Sequence, residues 1–412
     1  MRTLHLVKTS DGARWAALQA KGLGGLGVEV PVALPAREGK AVPFWKDAGA
    51  IIHIVDTRLP IRSPWTWTET RSSIRELVTR VKPDIIHSHF VSTTFALRMA
   101  MRGWGEGIPR VFQVPGPLHL EHRPYRDTDI RSATQSDYWI ASSRCIKSHY
   151  TRSGVSPDRL FLSYYGTTIR DFERQRSMVI RHQLGIPDDA LVVGSLSYMY
   201  RPKLYVGQVK GFKRHEDLID ALGIICRERR DVVGLIIGGE WGGGSSYRDR
   251  LRRRASRVAG DQIRFVDRVP AASAAALWPE YDCVVHLAIS ENCGGVAEPL
   301  AAGVATVAAR DGGLPEVVLD GDTGWLVPPR SPREAASVIQ EALANPAERQ
   351  RRAEAGRRLV LEMFDVQRTG AEIADIYAYI LNPTTMHPRE FDSVAAVRRL
   401  SEHNAEQEVM TR

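Results

Sequence analysis

The sequence predicts an α/β protein with two domains, each built on a sheet of parallel strands. The chain has 412 residues, which is enough for two domains that each bury a core of their own. Short apolar runs with the length of buried strands alternate with segments of helical spacing, a pattern typical of parallel sheets. Glycine and proline mark the ends of many of these segments.

Composition limits the class of protein. Hydrophobic residues make up 43% and charged residues 25% of the chain, as in an ordinary globular protein. The opening apolar run, Leu4 to Val7, is too short for a signal peptide, and no run has the length needed to cross a bilayer. The four cysteines form no CxxC pair, which favours a reducing cytoplasm.

The net charge of +8 permits contact with phosphates or with an anionic membrane surface. The arginines are scattered and not massed in one arm, so a solvated basic surface is the preferred interpretation and no nucleic-acid partner is predicted. Peripheral association at the cytoplasmic face of a membrane stays compatible with this charge.

The first half of the chain begins as a βαβ unit. Leu4 to Val7 predicts a strand, the turn that follows ends at Gly12, and a helical segment leads to a second strand at Val28 to Leu34. Further strands are predicted at residues 51–55, 84–89, 110–114, 138–143 and 160–165, with a helix over 63–81.

The second half repeats the alternation after Gly185 to Asp189, a stretch that breaks the pattern as an interdomain linker does. Strands are predicted at 191–196, 233–237, 263–266, 284–289 and 305–308, and helices at 216–222, 331–345, 346–360 and 364–381. The predicted organisation is one domain over 1–186, a second over 187–362, a helix over 363–385 that returns to the first domain, and a polar tail over 386–412.

The stretch between the last two predicted strands carries the candidate chemistry. Gly294 and Gly295 allow close approach of the backbone to a ligand, and Pro299 predicts a first helical turn, with a helix N-terminus at about Val296 to Pro299. Free amide groups and the positive end of the helix dipole favour an anion there.

Glu291 and Glu298 flank this predicted anion site. For either glutamate alone, a role as a helix cap or dipole partner explains the residue as well as a functional role does. Together with the glycines they suggest more, because a nucleotide sugar needs amides for its phosphates and acceptor groups for the hydroxyls of its ribose and hexose.

The motif from Glu291 to Ala308, followed by Gly-Gly-Leu-Pro-Glu-Val-Val at 312–318 and Gly-Asp-Thr-Gly-Trp-Leu-Val-Pro-Pro at 321–329, resembles the donor site of retaining family-4 glycosyltransferases. The resemblance extends over nearly the whole chain. It implies the GT-B fold: two Rossmann-like domains facing across a cleft, with a C-terminal helix crossing back to the first. It also implies metal-independent sugar transfer with retention of configuration.

The resemblance assigns roles to individual residues. Lys213 and Arg201 are expected to stabilise charge on the leaving diphosphate, with Glu291 on the hexose and His119 beside the reacting sugar. Glu298 is expected to accept hydrogen bonds from the ribose hydroxyls. The remaining residues expected at the nucleotide sugar are Gly12, Arg268, Val269, Asn292, Cys293, Gly294, Gly295 and Val296. A UDP- or GDP-sugar is the favoured donor, no further cofactor is expected, and the acceptor is a sugar, lipid or small metabolite.

The chain departs from the family pattern at three points. Six residues separate Glu291 from Glu298 where the family has seven. Pro115 stands where a histidine is usual, which leaves His119 as its substitute or as a simple loop histidine. Arg214 takes the place of a glycine after Lys213, and Arg201 is the nearest candidate for an arginine that the family carries just after the strand.

These departures keep rival interpretations open. A non-catalytic scaffold of the same fold is one, and a sugar phosphorylase or nucleotide-sugar epimerase is another. No metal site is predicted from His87, His89, His119 and His122, because strand alternation alone places the first two on one face. The Asp-x-Asp pairs at 127–129 and 320–322 are interpreted as chance in turn-like surroundings.

Overall fold

The computed structural model describes residues 1–61, 63–168, 172, 174–204 and 207–410. The chain forms two compact units. The first comprises Met1–Thr168 together with Glu362–Phe391, and the second comprises the rest of the described chain. Each unit is organised around a parallel sheet with helices on both faces, which confirms the predicted α/β class.

The elements of the first unit follow the predicted alternation. Its strands are β1 Thr3–Leu6, β2 Pro31–Leu34, β3 Ile51–Ile54, β4 Ile85–Ser88, β5 Arg110–Val114, β6 Asp137–Ala141 and β7 Leu160–Leu162. Its helices are α1 Arg14–Gly24, α2 Val42–Asp47, α3 Trp67–Val81, α4 Val91–Met101, α5 Leu118–Glu121, α6 Arg123–Ser132 and α7 Arg144–Arg152, with α15 Val366–Leu381 from the C-terminal part of the chain.

Within the described residues, the first sheet has seven parallel strands in the order β3-β2-β1-β4-β5-β6-β7. Successive strand residues face opposite sides. On β4, Ile85 packs in the core formed with α1 and α15, whereas Ile86 packs in the core formed with α3 and α4. Strand β4 is therefore buried on both faces, whereas the edge strand β3 is exposed or half-buried along its length.

The returning helix α15 completes the first unit. Its residues Ile373, Ile376 and Tyr377 are buried in the same core as the alanines of α1. A Cβ atom on Gly370 would lie 2.9 Å from Cα of Gly22, so the two helix backbones meet where both residues lack a side chain. The predicted crossing of a C-terminal helix to the first domain is confirmed.

The second unit contains the strands β8 Leu191–Leu196, β9 Val232–Ile237, β10 Ile263–Val266, β11 Cys283–His286, β12 Thr306–Ala309 and β13 Trp325–Val327. Its helices are α8 Val179–Gln183, α9 His215–Glu228, α10 Ser246–Ala259, α11 Ala271–Ala274, α12 Gly294–Ala301, α13 Pro332–Ala344, α14 Pro346–Met363, which runs two residues into the first unit, and α16 Ser393–Met410. The described residues pair in a parallel sheet of six strands, ordered β10-β9-β8-β11-β12-β13.

Two segments differ from the predicted organisation. Residues 174–186 were assigned to the first domain, but they pack with the second unit, where buried Arg181 donates to the carbonyl oxygens of Glu280 and Ala190. The predicted polar tail contains α16, and its residues 411 and 412 lie outside the described residues.

Three further observations concern features singled out in the sequence. Asp127–Asp129 lies within α6, so its prediction as a turn was wrong. Three of the four cysteines, Cys226, Cys283 and Cys293, are buried, and Cys145 is half-buried. Among the described helices, none combines the length and apolar character that a membrane span requires.

Candidate functional site

The second sheet has one point where the strand order reverses, between β8 and β11. In open α/β sheets, ligands bind beyond the carboxyl ends of the strands at such a switch point. The segments that leave these two strands carry Lys213, which precedes α9, and Glu291, which precedes α12. The topology therefore brings together two residues that the sequence analysis placed at the donor.

Glu291 lies between two nitrogen-bearing side chains. Lys213 Nζ donates a hydrogen bond to Oε1, and Nε2 of His286 lies 2.8 Å from Oε2. Burial is the largest influence on the pKa of the Glu291 carboxyl and raises it, but Lys213 and His286 outweigh burial and lower that pKa to about 2. Glu291 is thus an ionised acceptor with 15% of its side chain exposed.

Backbone contacts fix the loop that carries Glu291. Ser290 adopts a φ of 56°, and its amide donates to Oδ1 of Asp311 at 2.8 Å. The amide of Gly313 donates to the carbonyl oxygen of Glu291 at 3.0 Å. A Cβ on Gly312 would lie 2.0 Å from that oxygen, so this close approach requires glycine.

The helix beyond Glu291 begins earlier than predicted. Helix α12 starts at Gly294, and Pro299 is its sixth residue, so the prediction that Pro299 marks the first turn was wrong. Gly294 and Gly295 are the first two helical residues, and their amides belong to the group without intrahelical acceptors. A Cβ on Gly295 would lie 2.3 Å from Nε2 of His286, which explains the glycine at that position.

The other predicted residues around α12 divide by exposure. Cys293 is buried at the N-cap position, with its Sγ 3.3 Å from the carbonyl oxygen of Gly313. Val296 is fully buried, and Asn292 is half-buried. Glu298 is exposed on α12 and so lies where a ligand could reach it.

Lys213 lies beside a position where the backbone requires a left-handed conformation. Arg214 has a φ of 57°. The glycine usual in the family is favoured by that conformation. In this chain Arg214 donates from Nε to Oδ2 of buried Asp217 at 2.6 Å, and this ion pair compensates the strained backbone.

Arg201, Arg268 and Val269 lie at the carboxyl ends of β8 and β10. Arg201 is exposed and donates from Nε to Oε1 of the buried Glu240. The Arg268 guanidinium lies 5.7 Å from the ring centre of Tyr198, and Val269 packs against a hydrophobic core. No hydrogen bond described for these residues joins them to Glu291, so their assignment to the donor stays a prediction.

His286 and Tyr200 are functional candidates that sequence reasoning missed. Burial and then the Glu291 carboxylate raise the pKa of Tyr200 to about 12, which indicates that the phenol lies near Glu291. The available signal for His286 was a polar residue at the carboxyl end of an apolar strand, where ligands of α/β sheets bind.

In the first unit, His119 belongs to a buried polar network. Its Nε2 lies 3.2 Å from the Tyr150 hydroxyl and 3.4 Å from Oδ2 of Asp129. Asp129 also pairs with Arg98 at 2.7 Å. This network gives His119 a role in the fold, and its catalytic role stays a prediction. Gly12 precedes α1, where a Cβ would make only an ordinary contact with Thr9.

The described histidines that come together are His5, His87 and His89, with their ring nitrogens within 4.8 Å of one another. His5 Nδ1 is 2.9 Å from His89 Nε2, whereas His87 Nδ1 is 2.5 Å from the Tyr377 hydroxyl and its ring stacks on that of His89. His119 belongs to the separate network around Asp129. These contacts explain the histidines as a buried polar cluster of the first sheet.

Two family models match successive parts of the chain. The model described as Glycosyltransferase Family 4 matches residues 12–168, and the model described as Glycosyl transferases group 1 matches residues 201–359. Together they cover most of both sheets, and the first strand of each, β1 and β8, lies outside the matched residues.

Comparisons with individual proteins agree. The chain is 29% identical over 313 residues to D-inositol 3-phosphate glycosyltransferase 2 of Catenulispora acidiphila, covering 72% of this chain and 70% of the relative. The crystal structure of Anabaena HepE in complex with UDP-glucose matches with a TM-score of 0.74 and 19% identity over 92% of this chain and 99% of that one. Sucrose-phosphate synthase of Thermosynechococcus elongatus matches with a TM-score of 0.73 and 16% identity, covering 93% and 100%.

The two parallel-sheet units, the two family models and the similar structures identify a glycosyltransferase with the GT-B fold. The chain belongs to glycosyltransferase family 4.

Proposed function

We propose that the chain transfers a hexose from a nucleotide-diphosphate sugar to an acceptor hydroxyl, with retention of anomeric configuration and without a bound metal ion. The observation that carries the proposal is the ionised Glu291, held between Lys213 and His286 beside the first turn of α12. The neighbour crystallised with UDP-glucose favours UDP as the nucleotide.

The donor is arranged along this site by complementary charges. Its diphosphate is held by Lys213 and by the amides of the first turn of α12, where the helix dipole favours negative charge. Glu291 accepts hydrogen bonds from hexose hydroxyls. The exposed Glu298 accepts hydrogen bonds from the ribose hydroxyls, and the main chain at Arg268 and Val269 contacts the base.

Catalysis is stabilisation of the leaving group. As the bond between the anomeric carbon and the diphosphate oxygen breaks, negative charge builds on the diphosphate and is stabilised by Lys213 with Arg201. The acceptor hydroxyl forms the new bond from the same face of the sugar. Its proton passes to the departing phosphate oxygen, so no protein side chain forms a covalent intermediate.

The acceptor is a small molecule. The relatives named D-inositol 3-phosphate glycosyltransferase support this part of the proposal. A small metabolite is one of the acceptor classes that the sequence left open.

Calorimetric titration with UDP, GDP and ADP in the presence of EDTA tests the donor site. We expect one diphosphate, UDP, to bind the wild type without metal. Glu298→Ala should weaken that binding about tenfold or more, the cost of losing a charge-assisted hydrogen bond. Glu334→Ala, which removes another exposed glutamate of the second unit, is the matched control and should bind like the wild type.

Absence of binding by all three diphosphates would overturn the proposal and favour the scaffold interpretation. Retention is tested separately by following the slow hydrolysis of UDP-glucose by NMR. The α-anomer of glucose is expected first, and initial release of the β-anomer would contradict a retaining mechanism.

A further inference from the structure

Four aromatic residues, one of which directly precedes Lys213 in the chain, form a group that the proposed reaction has not used. Tyr198, Tyr200 and Phe212 lie on the segment between β8 and α9, and Trp241 follows β9; we name these four the aromatic corner. The Tyr200 ring centre is 4.5 Å from that of Phe212 and 5.4 Å from that of Trp241, and Tyr198 is 5.0 Å from Trp241. The four rings therefore form one continuous group.

The aromatic corner is fixed by backbone pairing. The pairing of β8 and β9 continues beyond the ends of both strands through a parallel bridge between Met199 and Glu240. The amide of Met199 donates to the carbonyl oxygen of Gly239 at 2.9 Å, and that of Trp241 donates to the carbonyl oxygen of Met199 at 3.0 Å. Met199 is fully buried, so the rings on either side of it project from an ordered part of the sheet.

One ring of the aromatic corner is exposed and faces solvent. Tyr200 stacks on Trp241 with an interplanar angle of 23°, whereas Tyr198 stands at 84° to the same indole. Trp241 is 57% exposed, an unusual position for so large an apolar ring. A planar ring can stack on the exposed indole with Tyr198 as a wall at its edge.

Charges at the two ends of the aromatic corner indicate what kind of molecule it receives. At one end Phe212 precedes Lys213, whose Nζ lies 5.6 Å from the Phe212 ring centre. At the other end Arg268 lies over Tyr198. The corner therefore leads from the proposed diphosphate site to the predicted base contact, and this favours a heteroaromatic base over a sugar ring.

We propose that Trp241 and Tyr198 form the stacking subsite for the nucleobase of the donor. The inference rests on the proposed function and deepens it, because it adds side chains that select a nucleoside diphosphate over a bare diphosphate. Stacking accepts any base, so selection among bases belongs to the main chain at Arg268 and Val269.

Titration of UDP and of inorganic pyrophosphate against single variants tests the subsite. Trp241→Ala should weaken UDP about 5- to 150-fold, the range for loss of one base–aromatic stack, and leave pyrophosphate affinity unchanged. Tyr198→Ala should weaken UDP less, and Trp241→Phe should retain most of the affinity because it keeps an aromatic face. Trp65→Ala is the control, since Trp65 is a 79% exposed tryptophan of the other unit.

Thermal denaturation of each variant verifies that its fold is intact. Unchanged UDP affinity in folded Trp241→Ala would overturn the inference, as would an equal loss for UDP and pyrophosphate. A loss for UDP-glucose without a loss for UDP would also overturn it and assign the rings to a sugar. If Glu298→Ala loses affinity for UDP while Trp241→Ala does not, the inference alone fails, whereas absence of binding of UDP, GDP and ADP by the wild type removes the proposed function itself.

Discussion

Lys213 and Glu291, 78 positions apart in the chain, are joined by a hydrogen-bonded ion pair from Nζ to Oε1. The two residues serve different parts of the proposed donor, the lysine its diphosphate and the glutamate its hexose. In the absence of ligand each therefore neutralises the other. The second oxygen of Glu291 is held by His286, so this carboxylate keeps one partner when Lys213 turns toward a diphosphate.

Replacing His286 should affect recognition of the sugar more than that of the nucleotide. His286→Leu removes the partner of Oε2, so Glu291 is no longer held for hexose hydroxyls. We expect the affinity advantage of UDP-glucose over UDP to shrink about tenfold, as for a hydrogen bond to a charged group. His286→Gln can still donate to Glu291 and should restore most of the advantage.

Calorimetry with both ligands measures that advantage. His182→Leu, which changes a largely exposed histidine of the same unit, is the control. An undiminished preference for UDP-glucose in His286→Leu would show that the histidine does not position Glu291.

Alanine substitutions at the two glycines that begin α12 should have different effects on the stability of the protein. Gly295→Ala places a Cβ 2.3 Å from Nε2 of His286 and 2.9 Å from Oε1 of Glu291, and such overpacking costs about 1–3 kcal/mol. Gly294→Ala meets nothing within 4 Å and should leave stability unchanged or raise it by about 0.5–1 kcal/mol, because alanine favours helix. Urea denaturation of the two variants is the measurement, and equal stabilities would contradict the crowding at Gly295.

Arg98 should be among the polar residues whose loss costs most stability. Its guanidinium is 2% exposed and pairs with Asp129 at 2.7 Å and Asp137 at 3.0 Å. Arg98→Met leaves these buried carboxylates with one partner fewer, and loss of a buried partner costs about 3–5 kcal/mol.

Denaturation by urea, followed by circular dichroism, tests the role of Arg98. Arg58→Ala breaks an exposed pair with Asp56 in the same unit and should cost less than about 1 kcal/mol. The idea fails if both variants are destabilised to the same small extent.

The buried histidines make the stability of the first unit depend on pH. Burial lowers the pKa of His5 to about 3, and burial together with the neighbouring histidines holds the pKa of His87 and His89 well below 6.5. Below pH 6.5 the unfolded chain therefore binds protons that the folded chain excludes. Stability is complete above that pH and falls toward pH 3, by about 1.4 kcal/mol per pH unit for each such histidine.

Urea denaturation at pH 7, 6 and 5 measures this slope. His5→Gln should reduce it by about the contribution of one histidine. A wild-type stability that stays constant from pH 7 to pH 5 would contradict the buried, uncharged state of the cluster.

The fold was largely predictable because its signals are local. Apolar runs such as Leu4 to Val7 are long enough for one buried strand, and their alternation with helical spacing specifies parallel strands. The predicted start of α12 is too late because proline is typical of a first helical turn, whereas this helix accommodates Pro299 at the sixth position. Cap geometry decides such boundaries, and sequence spacing does not reveal it.

Within the candidate site, only the residues that belong to the family motif could be predicted from the sequence. Glu291 and Lys213 were predicted as neighbours of one ligand, but their direct contact depends on the switch point between β8 and β11. His286 was missed because it occupies a strand position where an apolar residue would be equally compatible with the pattern. Arg214 looked like a lost glycine, and only its φ and its contact with Asp217 show how an arginine is accommodated.

The packing of α15 against α1 also has a consequence for biosynthesis. The first sheet is translated early, yet the core on one of its faces contains Ile373, Ile376 and Tyr377. Those side chains leave the ribosome only after the strands β8 to β13 of the second unit have been made. A nascent chain therefore carries an open apolar face on its first sheet while the second sheet folds, and the core of the N-terminal half stays incomplete until α15 has emerged.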